Sequence, residues 1–462
     1  MGSPAVNPQI FREYDIRGLH ERDLGDDAVR LIGRAFGTYL RRRGLKTVAL
    51  GRDFRLSSPR IAAAVTDGLT ATGCDVRFVG EVPTPGLYWS IVALGTDAGL
   101  MVTGSHNPIE YNGLKLCAGG VQAVYGQEIQ GLLDLIRRGD FETGSGGVEE
   151  RPTAAAYADM LVSKVKPAGR LKVVLDAGNG SAGPVAPDLF RRLGQDVVGL
   201  FCEPDGRYPN HTPDPTVEKN LQDLIRAVRA EKADFGVGYD GDADRIGAVD
   251  GQGRILWGDQ LLALFARDAL AEVPGAPIVF DVKCSQGLEE DILAHGGKPI
   301  MWKTGHSLMK AKMKEVGAPV AGELSGHIFF AHRYFGFDDA IYGSLKLLEI
   351  VSRSGGSLAV LRDSIPYYTS TPEIRLDTTD EDKFAIVERV RDHFRRDHEV
   401  IAIDGARVKF ADGWALVRAS NTQPVLVVRF EARTQERLDA IRSELYAALE
   451  KEGVPTAAGG GH

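Results

Sequence analysis

Cysteine is scarce: there are four in 462 residues, Cys74, Cys117, Cys202 and Cys284, and no two stand as C-x-x-C. That spacing argues against structural zinc and against a disulfide scaffold. It predicts free, buried thiols in a reducing compartment, hence a cytoplasmic protein. No apolar run approaches the roughly 18 residues a membrane span requires, and no secretory signal opens the sequence, so no membrane partner is expected. Positive charge is not in excess either. The formal net charge is −8, which argues against nucleic acid or an anionic lipid surface as partner through bulk charge. A small anionic substrate in a locally basic cleft stays open. What remains is an ordinary globular composition, 43% hydrophobic and 26% charged. The chain is long enough for roughly three or four domains of about 100–150 residues each.

The chain repeats one plan three times. The segments 47-TVALGRDFRLSS-58, 172-KVVLDAGNGSAG-183 and 278-IVFDVKCSQGL-288 are each a β-branched run, a polar loop and then helical periodicity. A second strand follows in each, at 75–80, 196–201 and 298–302. A third apolar run then ends in the most polar loop of the unit: 98-AGLMVTGSHNP-108, 235-FGVGYDGDADR-245 and 318-APVAGELSGH-327. The order predicts a triplicated α/β unit, and open α/β sheets bind ligands beyond the carboxyl ends of their strands. From about Thr369 the texture changes. Strands at 373–377, 400–405, 407–410, 414–420 and 425–432, with helices over 380–397 and up to about Glu450, predict an α+β domain with one helix-covered face.

Four loops carry chemistry-bearing residues. In 101-MVTGSHNPIEYNGLKL-116 an apolar run gives way to Ser105, His106, Asn107 and Lys115 among glycines and a proline. This set suits phosphate chemistry, with an ordinary surface turn as the alternative. In 239-YDGDADR-245 the acids Asp240, Asp242 and Asp244 alternate, so their oxygens can converge on a hard cation, and Mg²⁺ is favoured over a solvated acidic turn. An EF-hand is excluded because the sixth position is Arg245 rather than Gly and the twelfth is Gly251 rather than Glu. In 322-GELSGH-327, Glu323, Ser325 and His327 can hydrogen-bond sugar hydroxyls, or simply satisfy a turn. In 418-RASNTQP-424, Arg418, Ser420, Asn421 and Thr422 combine a fork of donors, two hydroxyls and an amide, which suits a phosphate cradle, with an ordinary strand-to-strand turn as the alternative. Tyr14 and Arg17, in 11-FREYDIRG-18, and Lys283 and His306, after strands of the third unit, are further candidates, each also readable as a surface residue.

Together, TGSHNP…YNGLK, DGDADR, GE-x-SGH and RASNT, in this order from about Phe11 to about Ala448, resemble the α-D-phosphohexomutases. The bacterial phosphomannomutase/phosphoglucomutase branch is the nearest in motif. Leu324 stands where that branch usually has Met, an apolar exchange. The resemblance implies a heart-shaped protein of four domains around one cleft. These would be an α/β domain with a phosphoserine loop (1–150), an α/β domain with a metal loop (151–254), an α/β domain with a sugar loop (255–368) and an α+β phosphate-binding domain (369–462), with mixed sheets in the first three. It implies that Ser105 carries a phosphoryl group and ligates Mg²⁺ together with Asp240, Asp242 and Asp244.

The implied reaction interconverts hexose 1- and 6-phosphates of glucose and mannose. It runs through phosphoserine and a bound hexose 1,6-bisphosphate, which is both intermediate and activator. Ser105, His106, Lys115, Arg245 and His306 are the catalytic set so implied, with Lys115 and His306 unranked as general acid and base. Tyr14, Arg17, Asn107, Lys283, Glu323, Ser325, His327, Arg418, Ser420, Asn421 and Thr422 would bind substrate. Small phosphosugars are the expected partners, and a monomer the expected state. The rivals are a phosphoglucosamine mutase, a catalytically silent sugar-phosphate binder and a divalent-metal phosphatase. Intact mass separates a mutase from a binder: treatment with glucose 1,6-bisphosphate adds one phosphoryl group to this chain, whereas a binder gains none.

Overall fold

The computed structural model describes residues 6–420 and 424–456. Its first sheet contains β1 (Ile16–Leu19), β2 (Thr47–Arg52), β3 (Asp75–Glu81), β4 (Ala98–Val102), β5 (Tyr111–Ala118) and β6 (Val148–Glu150), in the order β1-β5-β4-β2-β3-β6. The second contains β7 (Lys172–Asp176), β8 (Asp196–Leu200), β9 (Phe235–Tyr239), β10 (Ile246–Asp250) and β11 (Ile255–Leu256), in the order β11-β10-β9-β7-β8. The third contains β12 (Pro277–Asp281), β13 (Lys298–Trp302), β14 (Val320–Gly322), β15 (Ile328–Phe330) and β16 (Phe337–Asp338), in the order β13-β12-β14-β15-β16.

One core pattern recurs in all three: β5-β4-β2-β3, β10-β9-β7-β8 and β15-β14-β12-β13. In each, the strand that opens the repeat pairs parallel with both neighbours, and the last strand folds back antiparallel. The triplication read from the sequence is therefore a topological fact. The parallel strands read as continuous apolar runs because helices cover both faces, leaving no solvent side to alternate toward. Every residue of β4 and of β9 is buried.

The fourth sheet contains β17 (Thr369–Ser370), β18 (Ile374–Asp377), β19 (Val400–Ile401), β20 (Ala406–Phe410), β21 (Gly413–Ala419) and β22 (Val425–Ala432). It runs β17-β22-β21-β20-β19, with β18 also on β22, and all its pairings are antiparallel. Here alternation is visible. Ala415, Val417 and Ala419 face the core formed with helices Lys383–Phe394 and Gln435–Lys451, whereas Trp414 and Leu416 face Val282 of the third unit. Two expectations needed correction. The strand expected over 400–405 stops at Ile401, because Asp404 turns to hold Thr304 and Arg418, and Gly405 adopts φ +88°. The helix expected over 380–397 is shorter, Lys383–Phe394.

The first three units share a continuous apolar core from Ala49 to Ile365, while the last unit has its own. It joins the third unit largely through buried polar groups. Arg407 donates to the carbonyls of Val282 (2.7 Å) and Cys284 (2.8 Å), with its guanidinium 3.8 Å from the Trp414 ring centroid. Trp414 donates to Glu431 (3.0 Å), which also accepts from Ser285 Oγ (3.0 Å) and the Gln286 amide (2.8 Å). Lys283 pairs with Glu373 at 2.6 Å. Among the described residues no helix is long and apolar enough to cross a membrane, and all four cysteines are free. Since Trp414 anchors this seam, Trp414→Ala is expected to destabilise the last unit by about 3–5 kcal/mol. Hydrogen exchange checks it, with amide protection falling across 374–420 and 424–451 and persisting in the first three units.

Candidate active site

Each repeat delivers its polar loop at the carboxyl end of its third strand, and the first two meet there. Leaving β4, the chain places Ser105 at φ +48°, a conformation few non-glycine residues adopt, and buries it. Arg55 holds it there. This guanidinium, 1% exposed, donates to the carbonyls of Ser105 (2.8 Å), Asn107 (2.5 Å), Pro108 (2.8 Å) and Tyr111 (3.0 Å). Gly104 is required beside it, since a Cβ there would lie 2.3 Å from Arg55 Nε. Asp53 accepts from the Gly104 amide at 3.1 Å. Arg17 donates to the Gly104 carbonyl at 2.8 Å and pairs with Asp15 at 2.6 Å.

The metal-loop acids approach the serine directly. Ser105 Oγ donates to Asp240 Oδ2 at 2.8 Å and lies 3.1 Å from His106 Nδ1. The backbones touch as closely: a Cβ on Gly241 would sit 2.4 Å from the Ser105 carbonyl oxygen. Thr84, opening the helix Thr84–Leu94, donates its hydroxyl to Asp242 at 2.6 Å and its amide to the Asp242 carbonyl at 2.9 Å. Lys115 is not in the serine loop, where the sequence reading put it. It lies on β5, opposite Met101 of β4, because the serine loop is the turn of a β-hairpin. From that strand its ammonium reaches Asp242 at 3.1 Å and contacts Asp244.

Asp240, Asp242 and Asp244 are fully buried, and their ligand oxygens lie within 4.8 Å of one another. Burial and the two neighbouring acids push the Asp240 carboxyl well above its ordinary range. Burial opposes ionisation of Asp242 too, but Lys115 and Thr84 hold it below the usual carboxylate value. Burial likewise disfavours the Lys115 ammonium, and Asp242 and Asp244 more than offset this, raising its pKa. One oxygen on Asp242 and one on Asp244 have no hydrogen-bond partner. Three crowded acids with two buried free lone-pair sites are a donor set for a hard, oxygen-seeking cation.

The third repeat closes the other side. Glu323 accepts from the Gly305 amide at 2.5 Å and from Ser325 Oγ at 3.1 Å. Burial raises its carboxyl pKa. His306 stands 6.1 Å from Tyr14 and 5.7 Å from His327, ring centre to ring centre. Burial, then Lys310 and Lys115, lower its imidazole pKa well below the ordinary value. His106 is lowered similarly by burial, Arg245 and Arg17. Tyr14 donates to the Thr304 carbonyl at 2.8 Å, and the Nε2 of His327 is engaged by Arg245 at 3.0 Å.

From the last unit, Arg418 is held by Asp404 (3.1 and 3.4 Å), which also accepts from the Thr304 amide at 3.1 Å. The Ser420 amide donates to the Val425 carbonyl at 3.0 Å. Asn421 and Thr422 lie outside the described residues. Asn107 takes part through its backbone, its carbonyl going to Arg55 and its amide to Gly104 at 3.0 Å. Sequence reasoning missed Arg55, Thr84 and Asp404. For Arg55 the only signal was its place in 51-GRDFRLSS-58, the loop of the first repeat.

Family models for phosphoglucomutase/phosphomannomutase match in four consecutive parts. Alpha/beta/alpha domain I matches residues 8–143, domain II residues 155–253, domain III residues 257–368 and the C-terminal domain residues 373–448. A Pseudomonas aeruginosa protein named phosphomannomutase/phosphoglucomutase is 47% identical over 442 residues, covering 96% of this chain and 95% of that one. A Neisseria gonorrhoeae protein named phosphoglucomutase is 44% identical over 451 residues, covering 96% and 98%. A crystal structure of a phosphoglucomutase/phosphomannomutase family protein from Burkholderia thailandensis is similar at a TM-score of 0.92 and 44% identity, covering 97% of this chain and 99% of that one.

Because Arg55 satisfies four carbonyls of one loop, Arg55→Ala is expected to cost about 3–5 kcal/mol, seen as a lowered urea midpoint. Arg55→Lys recovers little of it, since an ammonium cannot reproduce the fork.

Proposed function

This chain belongs to the phosphoglucomutase/phosphomannomutase family, and we propose that Ser105 is the residue through which it moves phosphate. The chain is an intramolecular phosphotransferase that interconverts hexose 1- and 6-phosphates. The observation that carries the role of Ser105 is its hydroxyl, buried and 2.8 Å from Asp240. A surface turn would expose that hydroxyl, and a simple binder would have no use for it beside three acids.

A phosphoserine adds about −1.5 to −2 charge at pH 7. Unit charges about 4 Å apart repel by roughly 4 kcal/mol at an effective dielectric near 20. Lys115, Arg17 and Arg245 offset only part of that. Mg²⁺ is the cation proposed for Asp240, Asp242, Asp244 and the Ser105 oxygen, where it would supply charge neutralisation at the transferring group.

In the first half-reaction the free sugar hydroxyl attacks phosphorus, an O–P bond to the sugar forms, and the Ser105 Oγ–P bond breaks. The attacking hydroxyl's proton passes to the cleft and Oγ regains one, so the halves balance when the bisphosphate turns and the second phosphate returns to Ser105. Phosphoryl transfer depends mainly on positioning and charge stabilisation, which a cleft of arginine, lysine and buried carboxylates provides. Lys115 is held as an ammonium by Asp242 and Asp244, so its part is charge stabilisation at the transferring group. His306, beside Tyr14 and His327 in the same cleft, is a candidate for the proton transfer. His106 shapes the serine loop and faces Oγ.

Glu323 and Ser325 grip the sugar 3- and 4-hydroxyls, which glucose and mannose share, and His327 lies beside them. Arg418, Ser420, Asn421 and Thr422, with Tyr14 and Lys283, hold the phosphate that is not reacting. Arg245 steadies the bisphosphate as it turns. The units are taken to divide near residues 150, 254 and 368, and the enzyme to work as a cytoplasmic monomer on small phosphosugars. A coupled assay on glucose and mannose 1-phosphates tests the central claim. Ser105→Ala is expected to lower turnover on both by a factor of about a thousand or more, equivalent to about 4 kcal/mol; full turnover would remove Ser105 from the mechanism.

A further inference from the structure

A clamp for a dianion must also let go. The turning bisphosphate has to leave the clamp in every turnover, and binding that is equally tight throughout lowers KM without raising kcat. Lys283, assigned above to the non-reacting phosphate, is held by a carboxylate of the last unit. Its Nζ lies 2.6 Å from Glu373 Oε1 and 3.7 Å from Asp281 Oδ2. Asp281 is committed elsewhere: Oδ2 accepts from the Thr304 hydroxyl at 3.0 Å and Oδ1 from the Leu324 amide at 3.2 Å. Glu373 makes the short contact.

Both backbones are pinned at this point, while both side chains are long. Arg407 takes the carbonyls of Val282 and Cys284 at 2.7 and 2.8 Å, and Arg429 takes that of Lys283 itself. Glu373 stands between β17 and β18, which both pair with β22, and Thr371 exchanges hydrogen bonds with Phe430 at 3.0 and 3.1 Å. A change of partner at Lys283 therefore needs only rotation of a flexible four-carbon stem, and the seam keeps its arginine ties meanwhile. Burial opposes ionisation of Glu373, but Lys283, Arg418 and Arg375 overcome this and lower its pKa to about 2. With Lys283 turned away, the two arginines still favour the carboxylate. Burial likewise disfavours the Lys283 ammonium, and Glu373 and Asp281 more than offset it. Arg418 has its own acid, Asp404, at 3.1 Å. Both cations assigned to the phosphate thus come with a carboxylate of the last unit already beside them.

We propose that Glu373 is a positioning residue for phosphate release: its carboxylate and the substrate's non-reacting phosphate compete for the Lys283 ammonium. Phosphate binding breaks the Lys283–Glu373 pair, and the return of Lys283 to Glu373 frees the phosphate when the bisphosphate turns. Glu373 touches no substrate in this scheme. The inference rests on the reading of Lys283 as a phosphate ligand, and no step of it passes through Ser105.

Titration calorimetry with glucose 1-phosphate, in a Ser105→Ala background so that binding is read apart from turnover, and steady-state kinetics without that background test it. Glu373→Gln is expected to bind glucose 1-phosphate about 10-fold more tightly, with KM and kcat both reduced. A residue that only held the fold would leave affinity unchanged or weaker on substitution. Glu373→Asp, which keeps the charge, is expected to restore wild-type affinity. Unchanged or weaker binding by Glu373→Gln overturns the proposal, as does a Glu373→Asp variant that behaves like Glu373→Gln. In the wild-type protein, a crystal structure with glucose 1-phosphate is expected to place Lys283 Nζ on a phosphate oxygen and away from Glu373. An ammonium that keeps Glu373 with the substrate bound overturns the proposal without any variant. Lys283→Met separates the two readings. If it weakens binding while Glu373→Gln brings no tightening, the competition alone falls; if it leaves binding unaffected, the phosphate ligand and the competition fall together.

Discussion

Three carboxylates buried against one serine are the constraint from which the rest of the molecule follows. Asp240, Asp242 and Asp244 stand within 4.8 Å of one another, with no solvent to screen them. Left alone they would be too costly for a marginally stable fold. The chain offsets them with Lys115 from the first repeat, with the Thr84 hydroxyl and with a donor set open to a cation. Each compensating group comes from a different strand or helix end. The charge balance therefore exists only when the first two repeats are docked, and the apolar core they share with the third is what enforces the docking.

The serine loop shows how backbone strain is held at a functional point. Ser105 sits in the left-handed region, a costly conformation that persists because its surroundings over-determine it. Arg55 clamps four carbonyls, Asp53 takes the Gly104 amide, and the Gly241 backbone packs against the Ser105 carbonyl. The hydroxyl is thereby presented at a fixed point, as phosphoryl transfer demands. The last unit is built differently. Its core is separate, and its seam to the third unit is carried by Arg407, Glu431 and the Lys283–Glu373 pair around Trp414.

The three repeats were legible because each parallel strand is buried on both faces and so reads as an uninterrupted apolar run before a polar loop. The alternation in β21 showed the last sheet for the opposite reason, one face packing on helices and the other on the third unit. The site was legible where its residues cluster in short motifs. It was obscure where a single residue acts at long range. Lys115 looked like a loop residue because the hairpin that lifts it toward Asp242 is a pairing across strands, which local pattern does not encode. Arg55 was missed for the same reason.

The sequence by itself determined which apolar runs of the three repeats end in polar loops, because burial and turn chemistry are written in local residue order. It determined the α/β repeats, the change of architecture near Thr369 and the identity of the four polar loops. Only the tertiary structure decided that Asp240 meets Ser105 across 135 positions, that Lys115 answers the acids from a strand, and that Arg245 leans on His327. Those are contacts between repeats, made by shape and charge matching after each repeat has formed. Short-range order along a chain carries no record of such a match.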